Sequence, residues 1–157
     1  MDRNDIVVAL DGSERSLEAL RWAARESELT GDRLVVLHAF EIDDEHPDPS
    51  AMRITTESVH RTRATAWLRR ALEECAAIPY SIRLEVTEGR WLDVLRRRAA
   101  RSASMVVIGV DGRRTPEVSK LGVPVVLVQG AVATAADDAE PRRASAARVA
   151  DATTVPA

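Results

Sequence analysis

Cysteine is almost missing from this chain. A lone Cys75 excludes an internal disulfide framework and any cysteine-based metal cluster, and it suits a reducing compartment. Lysine is equally scarce, since Lys120 is the one lysine among 22 basic residues, which points to coding composition rather than to an evolved arginine surface. Positive charge is not in excess either. With 25 acidic residues the net charge is −3, so the basic field that binds nucleic-acid backbones is lacking and no nucleic-acid partner is expected. No apolar run approaches the roughly 20 residues needed to cross a bilayer. The N-terminal "MDRNDIVVAL" is cut short by Asp11 and reads as neither signal peptide nor membrane span, so a cytoplasmic protein with no membrane partner is expected. Also missing are a Walker-type lysine, a cluster of metal ligands and a nucleophile–base–acid triad, which leaves hydrolysis and phosphotransfer without residues to carry them.

What is present is enough for one domain: 157 residues, 45% hydrophobic and 30% charged. Two apolar patterns alternate. The near-continuous runs "IVVAL" (6–10), "RLVVLHAF" (33–40), "SMVVIGV" (104–110) and "PVVLV" (124–128) read as strands buried on both faces. "SIRLEV" (81–86) alternates apolar and polar residues, as a strand at or near a sheet edge would. Between them lie helical spacings: Leu17, Leu20 and Ala24 behind a capping Ser13; Ala64, Leu68, Ala71, Leu72 and Cys75 within 52–77; and Trp91, Leu92, Leu95 and Ala99 within 90–101. Strands alternating with helices imply right-handed crossovers. The fold class is therefore α/β, an open, mostly parallel five-stranded sheet with helices on both faces.

The acidic, proline-containing segment 41–51, which includes His46, is a surface connection. Residues 1–130 form the domain. The stretch 131–157 has 11 alanines and no Leu, Ile, Met or aromatic residue, and is expected to be a disordered tail. No internal repeat is visible.

Ligands of doubly wound sheets bind outside the carboxyl ends of the strands, where helix N-termini present free N–H groups. The first strand ends there in "ALDGS": Asp11 leaves the sheet, Gly12 permits the turn and Ser13 opens a helix. The run "IVVALDGSERSLEALRWAARES" resembles the first strand and helix of the universal stress protein (UspA) family. The likeness continues through "LVVLHAF", "VTEGRWLDVLRRRAARSASMVVIGVDGR" and "VPVVLV", over roughly residues 4–129.

Nucleotide-binding members of that family carry a G-x2-G-x9-G-[ST] signature after the fourth strand, and hold adenosine and ribose at the ends of the first two strands. The resemblance places these roles on Ala9, Leu10 and Asp11, on Ala39, and on Ile108, Gly109 and Gly112. The second half of the signature departs from the pattern. Nine residues after Gly112 comes Gly122, but Val123 replaces the hydroxyl residue and the final strand follows at once. Residues 110–123 number fourteen, just above the minimum for a parallel crossover, so at most one or two helical turns fit, starting near Thr115 with Pro116 at the first helical position. Arg113 and Arg114 could stand in for the missing amides by binding phosphate bidentately.

Bland readings stand beside these. Asp11 is a ribose contact or ordinary turn chemistry; Gly109 and Gly112 cradle phosphate or let the chain leave a strand; Arg113 and Arg114 bind phosphate or face water. His38 reads as a satisfied interior or strand-end histidine, the run Arg96, Arg97, Arg98 and Arg101 as a solvated helix, and Trp22, Trp67 and Trp91 as helix-to-sheet packing. The expected protein is a noncatalytic stress-response regulator with a degenerate nucleotide site and no required cofactor. The alternative is an adenine-nucleotide switch taking ATP or AMP. The resemblance further implies a homodimer paired through the last strand, at Val123, Val125 and Leu127, while any protein partner is unknown.

Overall fold

The structure, a computed structural model, describes residues 4–42, 49–76, 79, 81–110, 118, 120–130 and 152–155, without the side chains of 49–55 and 152–155. Its elements run β1 (Asp5–Ala9), α1 (Glu14–Thr30), β2 (Arg33–Phe40), α2 (Pro49–Glu73), β3 (Ile82–Glu88), α3 (Trp91–Ser102), β4 (Ala103–Val110), β5 (Val125–Gln129) and β6 (Ala152–Val155). One sheet has the order β3-β2-β1-β4-β5-β6. The five expected parallel strands are all present, with Val7 of β1 opposite Val35 on one side and Val106 on the other.

Period-two alternation divides the apolar strand residues between two cores. Ile6, Val8, Leu34, Val36 and Val107 face α1 and α2, where Ala19, Leu20, Ala23, Ala24 and Leu68 meet them. Val7, Val35, Val106, Ile108, Val125 and Leu127 face α3, through Val94, Leu95 and Ala99. Small alanines on α1 let that helix lie close to the sheet. Ser13 caps it by accepting from the Ser16 N–H, and at its far end the Gly31 N–H donates to the Ser27 carbonyl.

Between β4 and β5 no helix forms among the described residues. The Leu121 N–H donates to the Val118 carbonyl at 3.1 Å, and both side chains are buried in the α3-side core, covering the sheet where a helix would otherwise lie. The turn expected near Thr115 and Pro116 falls outside the described residues, as do His46 and residues 131–151.

The tail departs from expectation at one place. Ala152–Val155 is a strand, β6, antiparallel to β5, with Val128 opposite Ala152 and Val125 opposite Val155. Thr153, Thr154 and Val155 are the one β-branched triplet in an alanine-rich stretch, and β5 offers an edge for them to extend. The edge on which the resemblance implied a dimer is thus taken by the chain itself. Val125 and Leu127, expected at that dimer surface, are buried within the single chain, and Val123 is half-buried.

At the amino ends of the strands lies a buried polar cluster. Asp5 is fully buried and accepts from Arg33 Nε at 2.8 Å, from Arg98 at 2.6 Å and from the Ser102 hydroxyl. Arg98 also donates to both oxygens of Glu85, at 3.1 and 3.0 Å. Arg98 is therefore not on a solvated face as its arginine neighbours suggested. It is 7% exposed, because it falls on the same helical stripe as Val94 and Leu95 and its charge is met from three sides.

Candidate functional site

Chain order reverses between β1 and β4: from β1 the chain moves to β2 on one side, and it later returns to β4 on the other. At the carboxyl ends of these strands is a cavity of about 580 Å³, within the range of roughly 300–1,000 Å³ common for small-molecule sites. Such a switch point is where an open α/β sheet leaves room for a ligand, because neighbouring crossovers diverge to opposite faces. Ala9, Leu10, Asp11, Ala39, Ile108 and Gly109, drawn from three separate strands, all line it. Gly112, Arg113 and Arg114 lie outside the described residues.

The wall at the end of β1 is built by local chemistry. Gly12 takes φ of +89°, which a side chain would oppose, and this turns the chain sharply into α1. Asp11 Oδ1 then accepts from the Ser13 N–H at 2.9 Å and from the Ser13 hydroxyl, while Oδ2 lies 3.7 Å from Arg15. Partial burial pushes the Asp11 carboxyl up, but the hydrogen bonds from Ser13 and Ser16 and the Arg15 charge outweigh it and hold the group below its ordinary value. Asp11 is thus a firmly ionised turn residue that also faces the cavity, so the turn reading and the ligand reading describe the same side chain.

Gly109 lines the cavity and also has a packing role. A Cβ there would collide with the Arg15 carbonyl and come within 2.8 Å of the Ser16 nitrogen. Gly130, beside the end of β4, is similar, since a Cβ would stand 2.9 Å from that of Arg15. Both glycines let the first turn of α1 settle against the sheet. The G-x2-G spacing therefore has a packing cause at its first position.

Eight lining residues were not singled out as site residues from the sequence, and three of them, His38, Trp91 and Arg15, bring a ring or a cation to the cavity. The His38 Nδ1 is 2.8 Å from the Leu10 carbonyl, which can only accept, so Nδ1 donates in that bond and Nε2 is the ring nitrogen not used in it. The expectation of a satisfied strand-end histidine fits this bond, yet His38 also borders the cavity. Trp91, read as helix-to-sheet packing, is 44% exposed and lines the cavity, whereas Trp22 and Trp67 do pack against the core on the α1 side. The β3–α3 turn holds Trp91 there, the Gly89 N–H donating to the Phe40 carbonyl at 2.8 Å. Arg15 brings a cation to the same space. Helical spacing marks Leu17, Leu20 and Ala24 but gives no sign that Arg15, in the first turn of α1, meets β4.

Together with Glu41 these residues form a cleft with an apolar floor, an indole at one side, and two carboxylates, a guanidinium and an imidazole on its rim. Flat, partly apolar ligands bearing hydroxyls or one anionic group suit it. No helix among the described residues is long and apolar enough to cross a membrane.

No curated protein matches the chain. Among solved structures, it is similar to a universal stress protein in complex with cAMP, at 23% identity over 83% of this chain and 99% of that one, with a TM-score of 0.62. It is similar as well to an Arabidopsis thaliana universal stress protein family protein with AMP bound, at 16% identity over 86% and 97%, TM-score 0.60. A third similar structure is a family protein from Burkholderia pseudomallei, at 26% identity over 80% and 96%, TM-score 0.53. These likenesses agree with the α/β fold. The model of the universal stress protein family matches residues 3–122, which is most of the chain, and the chain belongs to that family.

Proposed function

We propose that this chain is a noncatalytic regulatory protein whose switch-point cavity binds the adenosine part of a mononucleotide such as AMP or cyclic AMP, and holds a triphosphate less well. The observation that carries the reading is the convergence of Asp11, Ala39, Ile108 and Trp91 on one cavity of nucleoside size. Asp11 offers carboxylate oxygens to ribose hydroxyls, Trp91 a face to a purine, and the apolar strand ends a floor beneath it. Two similar structures hold cAMP and AMP. The preference for few phosphates follows from the short crossover. Gly122 stands directly before the strand-leading segment and β5 begins at Val125, so no helix N-terminus follows that glycine to supply amides to a phosphate chain.

Noncatalytic action is supported by the chemistry of the rim. Asp11 is held as a carboxylate by its turn, which makes it an acceptor and a poor proton donor, and the Ser16 hydroxyl that lines the cavity donates to the Ser13 carbonyl rather than to a base. Binding would act by changing the surface around the cavity rather than by turnover.

Calorimetric titration of the purified chain with AMP, cyclic AMP and ATP tests the reading. Micromolar binding of AMP or cyclic AMP, with ATP at least about tenfold weaker, is expected; tenfold corresponds to about 1.4 kcal/mol. Tighter ATP binding would favour a switch in which Arg113 and Arg114 hold the phosphates, and failure of all three ligands would overturn the nucleotide reading.

A further inference from the structure

The two edges of the sheet are guarded differently. β3, at one edge, carries Arg83, Glu85 and Glu88, and the Arg61 guanidinium donates to the Val86 carbonyl at 2.6 Å, so charge and a side-chain hydrogen bond occupy the places where another strand would pair. The Arg61 side chain is in turn held by Glu57 at 2.8 Å. β5 has none of these devices. Its sequence VVLVQ contains no charge and no proline, its first four residues are buried, and its ladder with β4 runs without a break from Val125 to Gln129. An edge of that kind pairs with any extended strand that reaches it, including the same edge of a second copy, which can approach antiparallel about a twofold axis.

In this chain the edge is filled from within. β6 reaches β5 from far along the chain and pairs over four residues, Val125 with Val155 through Val128 with Ala152. So short a ladder gives a modest hold, and its advantage over a second copy is that it is tethered: the connecting chain keeps its local concentration high at any protein concentration. We propose that the C-terminal strand is the built-in occupant of the β5 edge and keeps two copies from pairing there, so that a second copy takes the edge only after residues 152–155 leave it. Self-association is then set by the tail, not by the strength of the β5 surface alone. The inference does not depend on nucleotide binding.

Sedimentation velocity on three proteins tests it: the full chain, a chain ending at Gly130, and full-length Thr153→Pro, whose proline removes the β6 donor opposite Leu127, a residue whose backbone polar groups face β6. The full chain is expected to sediment at the mass of one copy, 17.2 kDa, at every concentration examined, and the other two at twice a single-chain mass as concentration rises. A full chain that is dimeric, or a shortened chain that stays folded and monomeric, overturns the proposal. Should the shortened chain precipitate, hydrogen exchange of the Val125 and Leu127 amides, which face β6, in Thr153→Pro decides. Exchange at least about tenfold faster than in the full chain under dilute conditions supports β6 as occupant, and unchanged protection overturns it.

Discussion

Asp5 and Arg98 meet 2.6 Å apart in the interior, joining the first strand to the third helix across 93 positions of sequence. Burial raises the Asp5 carboxyl, but hydrogen bonds from Arg33, Ser102 and Arg98 overcome that and bring it down to about 2 from an unfolded value of 3.8. A carboxyl depressed in the folded state stabilises the protein above its unfolded pKa and loses that contribution as pH falls through the folded one. Denaturant melts should therefore show a loss of about 2–3 kcal/mol between pH 5 and pH 2 that is missing in Asp5→Asn. At pH 7 the same variant should be less stable by about 3–5 kcal/mol, because it leaves Arg98 buried and underpaired.

Gly109→Ala should destabilise the protein without any ligand present, by about 1–3 kcal/mol or more, since the added carbon meets the backbone of Arg15 instead of a movable side chain. Thermal unfolding of the ligand-free protein checks this. Loss of nucleotide binding in such a variant would report a displaced α1, and Asp11→Ala is the better probe of the ligand contact.

Trp91→Ala should separate binding from stability. With 44% of its surface exposed, Trp91 contributes little to the core, while removal of a stacking face of this kind costs about 1–3 kcal/mol of base affinity. The melting curve should move slightly and AMP affinity fall roughly tenfold. In the parent protein, AMP should change tryptophan fluorescence, and the change should be much smaller in Trp91→Ala.

Ser13→Ala should cost about 1 kcal/mol through loss of the helix cap, and Ser13→Asp should recover most of it. Ser13 both accepts from the Ser16 N–H and donates to Asp11. The alanine variant should thus also weaken nucleotide binding by loosening the Asp11 carboxylate, whereas Ser13→Asp should restore the cap and not the binding.

The sheet was legible because its strands are continuous apolar runs broken by helical spacing, and both patterns are local. The end of β1 was legible for the same reason: Asp11, Gly12 and Ser13 are neighbours in sequence and make the turn among themselves. His38, Arg15 and Trp91 were missed as site residues because their position depends on strand order. Only when β1 lies between β2 and β4 do these three border one space, and no local pattern states that order. Arg98 was hidden by company, since a run of three arginines suggests solvent. Its spacing from Val94 and Leu95 was the available signal that one of the three points inward. β6 was obscured by composition. Four residues that could never form a stable element alone become a strand when an unguarded edge is offered.

Gly109 and Gly130 place α1 by what they leave out. Since the first turn of the helix rests on main chain, the amides and hydroxyls at the start of α1 keep their position however the surrounding leucines and valines are exchanged. Core side chains can then drift while the cavity mouth keeps its dimensions. What descendants of this sequence have to preserve at those two points is a pair of hydrogen atoms, and any methyl that arises there is felt by the cavity before it is felt by the core.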